Sequence, residues 1–332
     1  MYPILLEVGK IKLYTYGVFI AFAFIVSAEY CARVSRELKI EPYIILDFII
    51  WVLISGLIGT RIAYIIFNIK DYIKEPVKIL RIWEGGLAWY GGVIFSIIVG
   101  YIWTKKKNIS FLRMADITSL GLFIGLAIGR WGCFSAGCCY GRPTDFPLGV
   151  VFKNPLSLSI TGVKIHPTQI YEGLGMFFFF AFIRGMMIAW KKFEEKKDAS
   201  FNIKDILEGK TIFILLIELL LVRLYYMWYG KGIAFPSLID ILFLPSFVFL
   251  FFFVEFLGFS YGRSRAYFEG IIFSMYFLFY GSLRFFLEFL RDPSGLSGFI
   301  IDKTITANHL VSFVMFAFGA YSLLRGRFAF AK

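Results

Sequence analysis

The chain has 332 residues, of which 59% are hydrophobic and 20% aromatic, with a mean hydropathy of +0.74. These values argue against a soluble protein and place the chain in a lipid bilayer. Its net charge of +12 sits on loop lysines and arginines that set orientation and touch anionic lipid; with no long basic segment outside the apolar runs, no nucleic-acid partner is expected.

Met1–Lys12 lacks a basic segment followed by a cleavage site, so no removable signal peptide is expected. Apolar runs of roughly 20 residues then predict spans over Leu13–Ala32, Ile44–Phe67, Gly85–Trp103, Met114–Ile128, Ile170–Trp190, Thr211–Trp228, Leu238–Phe256, Gly270–Leu290 and Thr306–Leu324. The Thr211–Trp228 and Leu238–Phe256 pair reads as a helical hairpin broken at Gly230–Pro236, and it comes after a charged linker, Lys191–Lys210. The expected architecture is therefore a single all-α polytopic membrane domain over residues 1–332 with roughly nine transmembrane helices. If the segments alternate, the basic clusters Arg33–Lys39, Lys105–Arg113, Lys191–Lys210, Arg263/Arg265 and Arg325–Lys332 fall on one side. The positive-inside rule makes that side cytoplasmic, with the N-terminus outside and the C-terminus inside.

Between the fourth and fifth spans stands Gly129-Arg130-Trp131-Gly132-Cys133-Phe134-Ser135-Ala136-Gly137-Cys138-Cys139-Tyr140-Gly141-Arg142-Pro143-Thr144, which holds three of the four cysteines. Glycine weakens a helix and arginine resists lipid, so this run is expected to depart from a membrane helix. Irregular backbone at membrane depth is tolerated where protein covers it or water reaches it, which makes the run the lining of a cavity. Its two arginines point to an anionic ligand, with phosphate first. The alternative is a packing turn whose arginines reach for headgroups.

Arg61, Arg130, Arg284 and Glu288 all lie in or against predicted spans, where ionisable groups are functional candidates. Helical spacing puts Tyr280, Arg284, Glu288 and Arg291 on one face. One carboxylate does not neutralise two neighbouring cations, which leaves Arg284 available to join Arg130 on a phosphate. The glycine pairs on either side of Trp89-Tyr90 allow a backbone or a ligand to approach closely, and contact between helices explains them nearly as well. Cys31, alone in its span, reads as a small buried residue. His309 reads as a packed histidine, and His166 either opens the fifth span or serves chemistry. For Cys133, Cys138 and Cys139 three readings stay open. They are a metal site with His166, a disulfide from Cys133 to Cys138 or Cys139, and a catalytic thiol favoured by Arg130. The Cys-x4-Cys-Cys spacing is not a usual zinc motif, and no metal is expected.

Several of these stretches carry a family likeness. They are Tyr14-Thr15-Tyr16-Gly17, Gly59-Thr60-Arg61, Trp83-Glu84-Gly85-Gly86 through Gly91-Gly92, Asp116 before the Gly129-Arg130-x-Gly signature, His166-Pro167-Thr168-Gln169-Ile170-Tyr171-Glu172, and Tyr280 through Glu288 to Arg291-Asp292-Pro293. In this order they resemble the prolipoprotein diacylglyceryl transferase family. The family's Gly-Arg-x-Gly-Asn-Phe-x-Asn-x-Glu signature has Cys133 here at its asparagine and Cys138 at its glutamate, and Tyr90 stands where many members carry a histidine. The resemblance implies a seven-helix core with an inserted linker and hairpin at residues 191–265. It implies a multi-pass enzyme of the bacterial inner membrane. That enzyme moves the diacylglyceryl group of phosphatidylglycerol to the lipobox cysteine of a preprolipoprotein and releases glycerol phosphate, with no cofactor. In this scheme Arg130 and Arg284 hold the phosphate. Glu288 orients Arg284 or accepts the thiol proton, and Tyr16 and Tyr90 bind headgroup hydroxyls or polarise the reacting centre. Cys133 or Cys138 is a candidate covalent relay, and Arg61, Arg291, Gln169 and Tyr171 are candidate substrate contacts. The competing readings are a homologue that binds lipid or precursor without chemistry, and a transporter of broken helices.

Overall fold

The computed structural model describes residues 2–9, 11–81, 86, 88–195, 269–291, 299–301 and 305–329. The elements run β1 (Ile4–Val8), β2 (Ile11–Tyr14), α1 (Thr15–Glu37), α2 (Pro42–Phe67), α3 (Ile69–Lys74), a 3-10 turn (Pro76–Leu80), α4 (Trp89–Lys107), α5 (Phe111–Ala136), β3 (Val150–Val151), β4 (Lys164–Ile165), α6 (Thr168–Glu195), α7 (Ile271–Leu290), β5 (Phe299–Ile301), β6 (Ile305–Thr306) and α8 (Ala307–Ala329). Seven of the expected spans are thus helices, and the two of the hairpin Thr211–Phe256 lie outside the described residues. Six of the seven are long and apolar enough to cross a membrane. The other, α4, carries Lys105, Lys106 and Lys107 in its last turn, where they suit the helix dipole. The fold is mostly helical and polytopic, with apolar side chains such as Trp51, Ile54, Leu57, Phe313 and Val314 facing outward. A surface of this kind suits lipid better than water.

The described residues form two units. In the unit Ser27–Gly121, α2 and α4 meet along glycines. A Cβ on Gly91 would lie 2.2 Å from the Gly59 carbonyl oxygen, and one on Gly59 would lie 2.5 Å from that of Gly91. Small residues let two membrane helices approach backbone to backbone, where dispersion replaces the hydrophobic effect. Elsewhere on the same helices the Trp103 ring packs edge-on against Phe48, and its indole N–H donates to Asp47 at 3.3 Å. Cys31 is buried, with its Sγ 3.4 Å from the Ile117 carbonyl, as expected of a small core residue.

The other unit, Met1–Val26 with Leu122–Lys332, is built around α7, which packs against α6 and α8. Gly281 and Gly319 make the α7–α8 crossing possible. A Cβ on Gly281 would lie 2.6 Å from the Phe316 nitrogen, and one on Gly319 would lie 2.5 Å from that of Leu278. On the opposite side Phe279 stacks on Phe179 with centroids 4.6 Å apart. The first helix begins at Thr15 rather than Leu13, because Leu13 pairs in the β1–β2 hairpin and the Thr15 N–H is taken by the Pro3 carbonyl.

The signature departs from the expectation drawn from its composition. It does not leave the helix at Gly129; α5 continues through Arg130, Gly132 and Cys133 to Ala136. Gly132 is kept because α1 presses on it, with a Cβ there falling 2.9 Å from that of Phe19. The charge of Arg130 is met by a carboxylate from another helix, so the helix need not unwind to solvate it. After Ala136 the chain forms a polar cover over residues 137–167, held by the β3–β4 pair and a small core of Val150, Phe152 and Ile165 with Phe134 and Tyr140 against it.

The crossings yield a prediction. Gly91→Val and Gly281→Val should each destabilise the detergent-solubilised protein by at least about 1–3 kcal/mol, read as a lower melting temperature. Gly17→Ala, where a Cβ meets nothing within 4 Å, should leave it unchanged.

Candidate functional site

The site begins where α5 stops. Gly137 takes a φ of +77°, its N–H donates to the Phe134 carbonyl at 3.2 Å, and the Cys138 N–H donates to the Cys133 carbonyl at 3.1 Å. This pair of bonds is a Schellman cap, which folds the residue after the glycine back over the last turn. Two apolar side chains frequently meet across such a cap; the residues at those positions here are Cys133 and Cys138. Cys139 comes next with a φ of +60°, and the three sulfur atoms lie within 4.8 Å of one another as free thiols. Hydrogen bonding with Cys133 and Cys138, and after it the charges of Arg291 and Arg130, pulls the Cys139 thiol well below its usual range. The same hydrogen bonding pushes Cys138 up.

The next segment fixes this turn from outside. Thr168 Oγ1 donates to the Cys139 carbonyl at 2.7 Å and Gln169 Nε2 to that of Cys138 at 2.6 Å. Gly141 and Arg142 thread between His166 and the end of α7. Their N–H groups donate to the His166 and Leu290 carbonyls, and the Arg142 Nε donates to the Arg291 carbonyl at 3.0 Å. A Cβ on Gly141 would sit 2.6 Å from the Leu290 oxygen, so only glycine passes there.

One turn into α6, Glu172 is buried between two guanidinium groups. Arg130 Nη2 donates to its Oε1, Arg284 Nη1 lies 3.7 Å from its Oε2, and the Tyr280 hydroxyl donates to Oε1 at 3.2 Å. Gly173 admits α5 to this distance, since a Cβ there would be 3.3 Å from that of Arg130. A second carboxylate, Glu288, lies 3.3 Å from Arg284 and 3.8 Å from Arg291. Its other oxygen accepts from Asn308 Nδ2 at 2.8 Å, in the first turn of α8, and from Thr306 Oγ1 at 3.1 Å, in β6 just before it. The result is an alternating chain of Arg130, Glu172, Arg284, Glu288 and Arg291, with the two carboxylates buried and the three guanidinium groups half-buried. Arg130 Nε and Arg284 Nη1 have no hydrogen-bond acceptor among the described residues.

Of the residues singled out from sequence, Arg130, Arg284, Glu288, Arg291, Cys133, Cys138 and Gln169 come together here. Tyr16 is half exposed at the start of α1, with its ring against the signature helix, 3.4 Å from where a Cβ on Gly132 would lie. The Tyr171 hydroxyl is 3.4 Å from His166 Nδ1, and its ring packs edge-on against that imidazole. His309, also buried, accepts from the Thr306 N–H at 3.1 Å, as a packed histidine does. Arg61 belongs to the other unit, where its guanidinium donates to the carbonyls of Lys78, Ile79, Arg81 and Gly86. It serves there as a clamp on the segment after α3. The Tyr90 side chain lies outside the described residues.

The sequence gives no role to Glu172, the hub of the cluster, or to its neighbours' partners, Thr306 in β6 and Asn308 in α8. It counts Glu288 as the sole counter-charge; the second comes from α6. The available signal is a lone carboxylate one turn inside an apolar helix, in the His166–Glu172 run.

Removing the hub should be costly. Glu172→Gln leaves the half-buried Arg130 and Arg284 without a shared counter-charge and is expected to destabilise by about 3–5 kcal/mol, measured as a fall in melting temperature in detergent. Glu29→Gln, which breaks the exposed pair with Arg33, should cost no more than about 0.5 kcal/mol. Arg61→Met should speed proteolysis within residues 69–81.

The family model described as prolipoprotein diacylglyceryl transferase matches residues 3–223 and 227–325. The phosphatidylglycerol–prolipoprotein diacylglyceryl transferase of Finegoldia magna is 38% identical over 178 residues, covering 54% of this chain and 68% of that protein. The protein of that name from Clostridium tetani is 33% identical over 210 residues, covering 63% of this chain and 82% of its own length. That of Clostridioides difficile is 38% identical over 159 residues, covering 48% and 61%. Matched along nearly its whole length, the chain belongs to the prolipoprotein diacylglyceryl transferase family.

Proposed function

We propose that the protein transfers the diacylglyceryl group of phosphatidylglycerol to the lipobox cysteine of a preprolipoprotein and releases glycerol phosphate. The observation that carries this reading is the charge of the cluster. Three guanidinium groups, Arg130, Arg284 and Arg291, face two carboxylates, Glu172 and Glu288, so the guanidinium groups outnumber the carboxylates by one. A phosphodiester carries one negative charge. Arg130 Nε and Arg284 Nη1 are the donors left for its oxygens.

The reaction is a displacement at carbon. The thiol loses its proton to solvent, its sulfur attacks the glyceryl carbon, and the carbon–oxygen bond to phosphate breaks with its electron pair leaving on glycerol phosphate. Negative charge grows on the phosphate as the bond breaks, and donors already fixed by Glu172 and Glu288 stabilise it without reorganising. Arginine fits this role better than lysine because its planar fork grips two oxygens at once. Tyr16, half exposed beside the cluster, is placed to meet the headgroup. The basic clusters on one side set the N-terminus outside and the C-terminus in the cytoplasm of a bacterial inner membrane. In this reading residues 191–265 are an insertion relative to the family core.

The test uses purified protein, phosphatidylglycerol vesicles and a lipobox peptide, with the diacylglyceryl product read by mass. Arg130→Lys and Arg284→Lys should each lower turnover by roughly a hundredfold or more. Phosphatidylglycerol retained on the wild-type protein without product would mark a lipid-binding homologue and overturn the enzyme reading.

A further inference from the structure

We propose that Cys133, Cys138 and Cys139 hold a zinc ion whose fourth position takes the substrate thiol, a proposal that rests on the transferase reading above. Their sulfurs lie within 4.8 Å of one another. A Zn–S bond of about 2.3 Å puts sulfurs about 3.8 Å apart in a tetrahedron and about 4.0 Å apart in a trigonal plane. Small rotations of the side chains therefore close the set around one ion. The Cys-x4-Cys-Cys spacing looks unlike a zinc motif only along the chain. The Schellman cap brings Cys133 under Cys138, and the left-handed Cys139 turns the third sulfur towards both.

The backbone of this cluster is fixed by groups that take no part in ligation. Thr168 and Gln169, both buried, hold the carbonyls of Cys139 and Cys138, as outer hydrogen bonds do around metal ligands. Arg130 joins this cluster to the phosphate site, with its Nη1 3.9 Å from the Cys133 sulfur. Cys133 is buried while Cys138 and Cys139 are half-buried, so the set is open on one side. Among the described residues no fourth histidine, cysteine or carboxylate joins it. Three protein ligands and one open position are the arrangement of catalytic rather than structural zinc.

An open zinc position next to the phosphate-binding arginines supplies what the transfer needs from a base. On binding zinc the substrate thiol gives its proton to solvent and becomes a thiolate at neutral pH. That sulfur then forms the thioether bond to the glyceryl carbon, and glycerol phosphate leaves with the electrons of the broken carbon–oxygen bond. Zinc keeps its oxidation state throughout.

The full-length protein, purified in detergent without chelator, should contain about one zinc per chain by elemental analysis, and C133S, C138S and C139S should lose it. Because a serine variant is open to misfolding, a second arm keeps the sequence intact: the wild type is stripped with a chelator and reloaded with Co²⁺. Thiolate-to-cobalt charge-transfer absorption is expected. The d–d bands should shift when a lipobox peptide is added and stay fixed with its Cys-to-Ser analogue. No zinc in the purified protein and no thiolate–cobalt band would overturn the site, and bands indifferent to the cysteine peptide would overturn the open position. Turnover that survives complete removal of zinc would overturn the zinc proposal and leave the transferase reading standing. Zinc and peptide bound, with no product from the wild type, would overturn the transferase reading and leave the metal site.

Discussion

A carboxylate buried between two guanidinium groups is the constraint on which this protein's site depends. Glu172 on α6 lies between Arg130 on α5 and Arg284 on α7. Each of these charges alone would be expelled from an apolar interior. Together they hold three helices to one register, and they pass the constraint through Glu288 to Arg291 and the start of α8. Such a network contributes little net stability over apolar packing, but it fixes geometry, because any shift of one helix strands a charge. That rigidity suits a site whose task is to meet growing negative charge.

The signature shows how polar chemistry is fitted into a membrane helix without breaking it. Gly132 gives way to Phe19 of α1, Gly173 gives way to α5, and the arginine that Gly173 admits is neutralised from a neighbouring helix. Only at Gly137 does the helix end, and its cap gathers three thiols where other members of the family are expected to carry an amide and a carboxylate. The cover formed by residues 137–167 is tied at both ends of this cluster, to the first turn of α6 and the last turn of α7.

Arg61 is an instructive contrast. As a cation inside an apolar span it meets the same criterion as Arg130 and Arg284, yet it donates to four main-chain carbonyls. An arginine in a membrane helix must find acceptors, and those acceptors are as readily the protein's own backbone as a ligand. Composition and spacing do not distinguish the two, because they do not show where the segment after the helix returns.

Hydrophobicity and order along the chain were enough to place the described spans, though not the end of α5 at Ala136, to give the polytopic architecture and the family, and to put Tyr280, Arg284, Glu288 and Arg291 on one face. Burying apolar side chains in lipid is a local requirement, and helical spacing is a local rule. Packing between helices was needed to make Glu172 the counter-charge of two arginines, to bring Thr306 and Asn308 onto Glu288, and to close Cys-x4-Cys-Cys into one cluster of sulfurs. Those facts depend on which helices touch and how one helix ends. Partners separated by 42 residues, as Arg130 and Glu172 are, meet only when the packing of whole helices brings them together.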